Sequence, residues 1–184
     1  MSIARRVGIS APSLYWHYKS KEDILFAFLE RQWIDFSARM KEASGQGTAT
    51  QRLRNLATSH VRYETDRLIE ARAFSQQFSK SQLHRTLPPE RRKILQGYLD
   101  RYLMMCCSII EEGVADGRFM VSNPRAVGFA IINMCETVAG WFDPSNVLTA
   151  EAMASLYGDL ALRLVGVIAD QSPGEDDVRV QPSR

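Results

Sequence analysis

The stretch ISAPSLYWHYKSKEDIL, from Ile9 to Leu25, combines small hydroxyl side chains, four adjacent large half-polar side chains and two lysines. The four adjacent side chains run from Tyr15 to Tyr18. Neighbouring positions of a helix point in different directions, so these four cannot all pack into one core. Some of them are therefore expected to be exposed and available for contact with a partner.

This stretch and the residues before it have the pattern of two short helices joined by a turn. Residues 3–7 predict one helix that Gly8 would end, because glycine is favoured just past a helix C-terminus. Ser10 lies at an N-cap position with Pro12 in the first turn, which predicts a second helix over residues 11–18. This arrangement is typical of a helix-turn-helix.

The second predicted helix has the residues that a DNA-reading helix needs. Ser10 and Ser13 lie at a helix N-terminus, whose free backbone N–H groups favour a phosphate. Trp16 and the edge formed by residues 11–13 are expected to approach bases. The side chains expected to reach phosphate oxygens are Tyr15, His17 and Lys21.

The segment IARRVGISAPSLYWHYKSKEDIL closely resembles the DNA-binding segment of the TetR family of transcriptional repressors. The matching positions are Ile3, Ala4, Gly8, Ile9, Ser10, Ser13, Leu14, Tyr15, His17, Tyr18, Ser20, Lys21 and Leu25. The resemblance implies DNA contacts at Ser10, Pro12, Ser13, Tyr15, Trp16, His17 and Lys21. The family has a further helix before the position that matches Ile3, so the resemblance implies an N-terminally incomplete helix-turn-helix domain over residues 1–45.

The rest of the chain has helical periodicity, and alternating strand patterns are scarce. Apolar residues recur at spacings of three and four in predicted helices over residues 21–41, 50–65, 68–78, 89–116, 124–142 and 149–169. The expectation is an all-α protein in which a helical ligand-binding and dimerisation domain, residues 46–169, follows the helix-turn-helix. The TetR family has the same order of domains. The polar residues 170–184 predict a disordered tail.

The last two predicted helices have apolar residues outside their main stripes, such as Ile132 and Leu162. A helix that is apolar on more than one face is buried on more than one side. A second copy of the chain would supply that cover in a homodimer formed through residues 124–142 and 149–169. The alternative is a central helix within a single subunit. In the TetR family the last two helices form the dimer interface.

Polar and aromatic side chains at helical spacing could line a cavity for a small hydrophobic effector. The segment WFDPSNVLTAEAM resembles the linker of TetR-family branches that sense acyl-CoA or lipid-derived ligands, which implies an acyl-type effector. The candidate ligand-binding residues are His60, Tyr63, Phe74, Phe78, Tyr102, Met105, Asn133, Glu136 and Trp141. Aromatic and methionine side chains at helical spacing more often belong to a plain core. The three arginines at 62, 67 and 72 could receive an anionic head group or lie on a solvated surface.

Composition and motifs exclude several classes of function. The net charge is only +2, and the cysteines Cys106, Cys107 and Cys135 lack the spacing of a disulfide framework or a zinc site. His60 and Glu64 lie four residues apart without an evident third metal ligand, and no catalytic or cofactor motif appears. The expectation is a cytoplasmic protein that has no membrane segment, enzymatic activity, metal or cofactor.

The sequence therefore predicts a ligand-responsive, TetR-like regulator that binds double-stranded operator DNA as a dimer and is released by a small hydrophobic effector. The alternative is a ligand-binding or scaffolding helical dimer that has lost DNA binding.

Overall fold

The computed structural model describes residues 18–69, 72, 86–145 and 147–167. Every regular element in these residues is a helix, which confirms the all-α prediction. The helices are α1 (Lys21–Ala43), α2 (Ala49–Asp66), α3 (Pro89–Ala115), α4 (Pro124–Glu136), α5 (Val138–Trp141) and α6 (Ala150–Leu164). The helices predicted over 3–7 and 11–18, most of the one over 68–78 and the tail at 170–184 lie outside the described residues.

Side-chain caps define where the helices begin. The Ser20 hydroxyl accepts a hydrogen bond from the Asp23 amide at 3.1 Å and starts α1 at Lys21, as the sequence predicts. Thr48 and Gln51 form a reciprocal capping box at the start of α2. The remaining capped helix starts are those of α4, at Asn123, and α6, at Thr149. Each such cap contributes about 1 kcal/mol.

Glycines in the left-handed conformation end α3 and α6. Gly117 and Gly166 have φ values of 67° and 60°. After α6, the Gly166 amide donates to the Arg163 carbonyl at 3.1 Å and the Val167 amide donates to the Leu162 carbonyl at 3.4 Å. This Schellman arrangement ends α6 at Leu164, so the predicted helix to residue 169 is too long.

The predicted helix over residues 124–142 is interrupted at Thr137, which separates α4 from α5. The Thr137 hydroxyl donates to the Met134 carbonyl at 3.0 Å. Hydroxyls that bond back to the preceding turn compete with the helical ladder and bend helices. The sequence-based prediction of one continuous helix was therefore wrong at this residue.

The core lies around α2, which packs against α1, α3, α4 and α6. Gly158 brings α6 close to α2, since a Cβ at this position would collide with the Thr58 hydroxyl. Among the largest fully buried side chains are Met40, Leu53, Leu56, Ile109, Ile110 and Ile131. None of the helices in the described part of the chain has the length and apolarity needed to cross a membrane.

Ion pairs join helices at the surface of this core. Arg62 pairs with Glu151, and Arg54 pairs with Asp159 at 2.8 Å, which ties α2 to α6. Asp23 near the start of α1 pairs with Arg91 near the start of α3, and the Arg91 guanidinium lies 5.1 Å from the centre of the Phe26 ring. The hydrogen bond from Arg91 holds the pKa of the Asp23 carboxyl below its ordinary value.

Candidate ligand-binding cavity

A cavity of about 350 Å³ opens between α1, α2, α3 and α4. This volume lies at the lower end of the range for small-molecule sites. Helix α1 contributes one face with the spacing i, i+3, i+4, i+7, which places its four side chains on the same side. The lining residues are Leu29, Gln32, Trp33, Phe36, His60, Tyr63, Glu64, Leu99, Tyr102, Ile132 and Glu136.

Aromatic rings form most of the inner wall. The Phe36 ring makes edge contacts with His60, Tyr63 and Tyr102, at ring-centre distances of 4.9, 5.1 and 4.8 Å respectively. Trp33 makes a further edge contact with Phe36 and stacks on Tyr98 at 6.2 Å. Because these rings fix one another, the wall is pre-formed and suited to an apolar group.

His60 and Tyr102 form a neutral hydrogen-bonded pair deep in the wall. The His60 Nδ1 lies 3.0 Å from the Tyr102 hydroxyl, and both side chains are buried. Burial lowers the pKa of His60 to about 3 and raises that of Tyr102 well above its ordinary value. The imidazole is therefore uncharged at neutral pH, and this side of the cavity presents no histidine cation to a ligand.

Glu64 is the acidic group closest to this pair, with its Oε1 3.8 Å from the His60 Nε2. Burial of the carboxyl, with a smaller effect from the Glu136 carboxylate, raises the pKa of Glu64 to about 7, against the opposing influence of Arg67. A carboxyl with this pKa holds its proton for a large part of the time near neutral pH. Glu136 itself is exposed, at the open side of the cavity.

The three arginines considered as receivers of an anionic head group have partners within the protein. Arg67 donates to the Tyr63 hydroxyl at 2.8 Å and to the Asp35 carboxylate at 3.0 Å, beside the cavity. Arg72 donates to the carbonyl of Ala139 in α5 and to that of Phe142, the residue that caps the C-terminus of α5. Arg62 pairs with a carboxylate of α6, as described above. These contacts hold the surrounding helices together.

The structure brings together part of the predicted ligand set: His60, Tyr63, Tyr102 and Glu136 line the cavity. The other described candidates do not line it. The Met105 sulfur faces the Ser44 hydroxyl at 3.5 Å, the Asn133 amide donates to the Phe129 carbonyl, and Trp141 is exposed. Phe74 and Phe78 lie outside the described residues.

Sequence reasoning missed the lining side chains of α1 and the acid Glu64 as a ligand residue. Leu29, Trp33 and Phe36 belong to the regular apolar stripe of α1, which has the same spacing whether it faces a solid core or a cavity. The polar Gln32 within the same face is a signal that was available, because a half-buried glutamine on an apolar helix face needs hydrogen-bond partners. Its side-chain oxygen accepts from the Tyr63 hydroxyl at 3.0 Å.

A second, more polar groove of about 540 Å³ lies between α3 and the start of α4. It shares Leu99 with the apolar cavity, so this side chain forms part of the wall between the two spaces. Its other lining residues are Gln96, Asp100, Leu103, Asn123, Arg125, Ala126 and Phe129. In the part of the chain that the structure describes, no three potential ligands form a group that could hold a metal ion.

Of the predicted DNA-binding residues, the structure describes Lys21 alone. Its side chain is 81% exposed at the first position of α1, with Nζ 3.9 Å from a Glu22 carboxylate oxygen. An exposed lysine at this place is free to approach a phosphate. The predicted contacts Ser10, Pro12, Ser13, Tyr15, Trp16 and His17 fall outside the described residues and stay predictions.

Two family models match the sequence. The model for "Tetracyclin repressor-like, C-terminal domain" matches residues 46–165, and the model for "Bacterial regulatory proteins, tetR family" matches residues 2–28. The Fatty acid metabolism regulator protein of Bacillus subtilis (strain 168) is 28% identical over 145 residues, which are 76% of this chain and 70% of that protein.

Solved structures share the fold. A tetR-family regulatory protein from Rhodococcus RHA1 has a TM-score of 0.78 and 28% identity, covering 90% of this chain and 85% of that chain. AibR, solved in complex with isovaleryl coenzyme A and operator DNA, has a TM-score of 0.70, covering 90% of this chain and 86% of that chain. Its identity of 20% makes it a relative in fold.

Proposed function

Because the chain belongs to the TetR family of bacterial regulatory proteins, we propose that it represses transcription as an operator-bound homodimer and releases DNA when an acyl-type effector enters the cavity. It is a ligand-responsive transcriptional regulator rather than an enzyme.

The observation that carries the proposal is the continuity of α1. Its first residues, up to Phe28, belong to the segment matched by the tetR family DNA-binding model. Further along the same unbroken helix, the cavity is lined by Leu29, Gln32, Trp33 and Phe36. Since an α-helix rises 1.5 Å per residue, Lys21 and Leu29 are only about 12 Å apart along one rigid element.

A ligand between α1 and α3 therefore acts directly on the helix that leads out of the DNA-binding segment. The Asp23–Arg91 pair gives the start of α1 a second attachment, to α3. Two recognition helices must lie about one turn of DNA apart to enter successive major grooves. A small tilt of α1 in each subunit changes that separation and weakens operator binding.

An acyl group suits the lining of the cavity and the character of the relatives. Leucine, isoleucine and aromatic side chains dominate its surface, and the rings are held in place by one another. The Bacillus subtilis relative is named as a regulator of fatty acid metabolism, and AibR binds isovaleryl coenzyme A with the same fold. These observations favour an acyl chain over a small polar metabolite as the effector.

The exposed apolar side chains of the last helices support the dimer. Phe129, Trp141, Leu156 and Leu164 are each at least 41% exposed, on α4, α5 and α6. In a dimer with a two-fold axis, these side chains of each subunit would face the same side chains of the other subunit. Large apolar side chains that stay exposed on a single chain otherwise favour aggregation.

DNA binding is tested by selecting an operator from a random DNA pool and measuring its affinity by fluorescence anisotropy over a range of salt. The Lys21→Ala variant should weaken binding to operator and random DNA by similar factors and lower the salt slope by about 1, because phosphate contacts carry no sequence information. Lys41→Ala is the matched control, since Lys41 lies about 30 Å away along the same helix. Addition of decanoyl coenzyme A should dissociate the complex of the parent protein with the operator, which lowers the anisotropy.

Recovery of no preferred DNA sequence, or a salt slope that changes equally in the two lysine variants, would contradict the assigned DNA-binding surface. Persistence of the operator complex in saturating decanoyl coenzyme A would contradict the effector class.

A further inference from the structure

The cavity between α1, α2, α3 and α4 has an acidic side. Glu64 on α2 and Glu136 on α4 both contribute to its lining. Neither lysine nor arginine occurs among the described lining residues. The side chain of Glu64 is only 19% exposed, so a ligand that fills the cavity would bring its polar end against a largely desolvated carboxyl.

We propose that the cavity accepts the acyl group only as an uncharged carbonyl compound, a thioester or ester rather than a free carboxylate, and that the Glu64 carboxyl donates a hydrogen bond to the ligand carbonyl. This inference rests on the proposed acyl effector and adds the chemical form in which that effector is recognised. Glu64 is a specificity-determining residue in this account.

Among the residues that the structure describes, the groups that face Glu64 offer no uncommitted positive charge to a ligand carboxylate. His60, one turn earlier on α2, is buried and neutral. Arg67 influences Glu64 but is engaged with the Tyr63 hydroxyl and with Asp35. On the other helices, the groups that interact electrostatically with Glu64 are the Tyr102 phenol of α3 and, on α4, the Cys135 thiol and the Glu136 carboxylate. None of these three groups carries a positive charge.

A free carboxylate in this place would lose most of its hydration with no lysine or arginine among the described lining residues, and the Glu136 carboxylate lies on the same side of the cavity. An ionised group that is desolvated without a partner of opposite charge is strongly disfavoured. An uncharged carbonyl has no such cost. It also gives a partner to the proton that Glu64 retains, since the pKa of this carboxyl is raised to about 7.

The test measures binding of three decanoyl-length probes to the full chain by isothermal titration calorimetry. The first probe is S-decanoyl-N-acetylcysteamine, an uncharged thioester. The other two are decanoate, which is an anion at neutral pH, and decylamine, which is a cation. The thioester should bind at least about tenfold more tightly than decanoate at neutral pH, and its affinity should fall as pH rises from about 6 to about 8.5. The Glu64→Gln substitution should reduce the difference in affinity between the thioester and decanoate, and it should make the affinity for the thioester independent of pH.

Asp66→Asn is the matched control, because it removes an acid from the last position of α2 that does not line the cavity. It should leave both the preference for the thioester and its pH profile as in the parent. Glutamine keeps the shape and a hydrogen-bond donor at position 64, so the thioester itself should still bind to Glu64→Gln.

Equal binding of thioester and decanoate to the parent protein, or a pH profile that Glu64→Gln leaves unchanged, would overturn this inference while leaving the acyl effector in place. Tightest binding of decylamine would overturn it as well, since the acidic side would then serve a cation. Failure of all three probes and of decanoyl coenzyme A to bind would overturn both this inference and the proposed effector class.

Discussion

At the scale of single residues, His60 and Glu64 show how burial sets charge in opposite directions. The folded chain keeps His60 neutral down to about pH 3, and burial raises the pKa of Glu64 to about 7. The ordinary values are 6.5 and 4.5. Between about pH 4.5 and 6.5 the folded pair holds one proton, on Glu64, and the unfolded pair also holds one, on the histidine. The pH dependences that the two groups give to the free energy of unfolding therefore cancel over this range.

Single substitutions should uncover the two opposing effects. In His60→Gln the folded state alone keeps the remaining proton, so the free energy of unfolding should fall relative to the parent by up to about 1.4 kcal/mol per pH unit as pH rises from about 4.5 to 6.5. In Glu64→Gln the unfolded histidine alone binds a proton, so the free energy of unfolding should rise by a similar amount over that range. Urea denaturation at several pH values measures both slopes. If the free energy of unfolding of each variant changes with pH as that of the parent does, the assigned protonation states are wrong.

At the scale of helices, the sequence predicted positions well where side-chain chemistry marks a boundary. The Ser20 cap gives the start of α1, and the paired prolines give the start of α3. The break at Thr137 was missed, because it depends on a hydroxyl that bonds back to the preceding turn in this fold. Gly166 was read as part of a helix, and only the folded backbone shows its positive φ.

The turn after α3 gives a direct test of packing between elements. A Cβ on Gly113 would lie inside the space of the Phe119 ring, which is buried. Gly113→Ala should therefore lower the free energy of unfolding by about 1–3 kcal/mol through overpacking. Gly97→Ala on the same helix is the control, and it should stabilise by up to about 1 kcal/mol because only the flexible end of Arg101 is near. Thermal or urea unfolding compares the two, and equal effects would contradict the close approach of Phe119.

Only some of the residues of the candidate site could be predicted from the sequence, and the reason is how the helices are oriented. The sequence places residues along a helix but does not fix how each helix is rotated about its axis relative to a cavity. His60 and Tyr102 point to the cavity, whereas Asn133 and Trp141 on the later helices do not line it. The side chains of α1 were read as core because an apolar stripe has the same pattern in both settings.

At the scale of the whole molecule, α1 connects three regions. The match to the tetR-family model covers its beginning, the cavity lies along its middle, and Phe36 and Met40 bury its later part in the core. In the proposed mechanism, a ligand that contacts α1 along its length tilts this helix as a rigid element. The proposed dimer through α4, α5 and α6 turns that movement into a change of spacing between two DNA-binding segments.

The central claim is that the cavity and the operator are thermodynamically coupled, and coupling is reciprocal. The most direct measurement is the affinity of decanoyl coenzyme A, determined by calorimetry at one salt concentration with the free protein and with the protein saturated by operator. The account predicts that operator weakens effector binding by about fivefold or more, the same factor by which effector weakens operator binding. Equal effector affinity in the two states would contradict it, because a ligand that binds both states equally shifts neither.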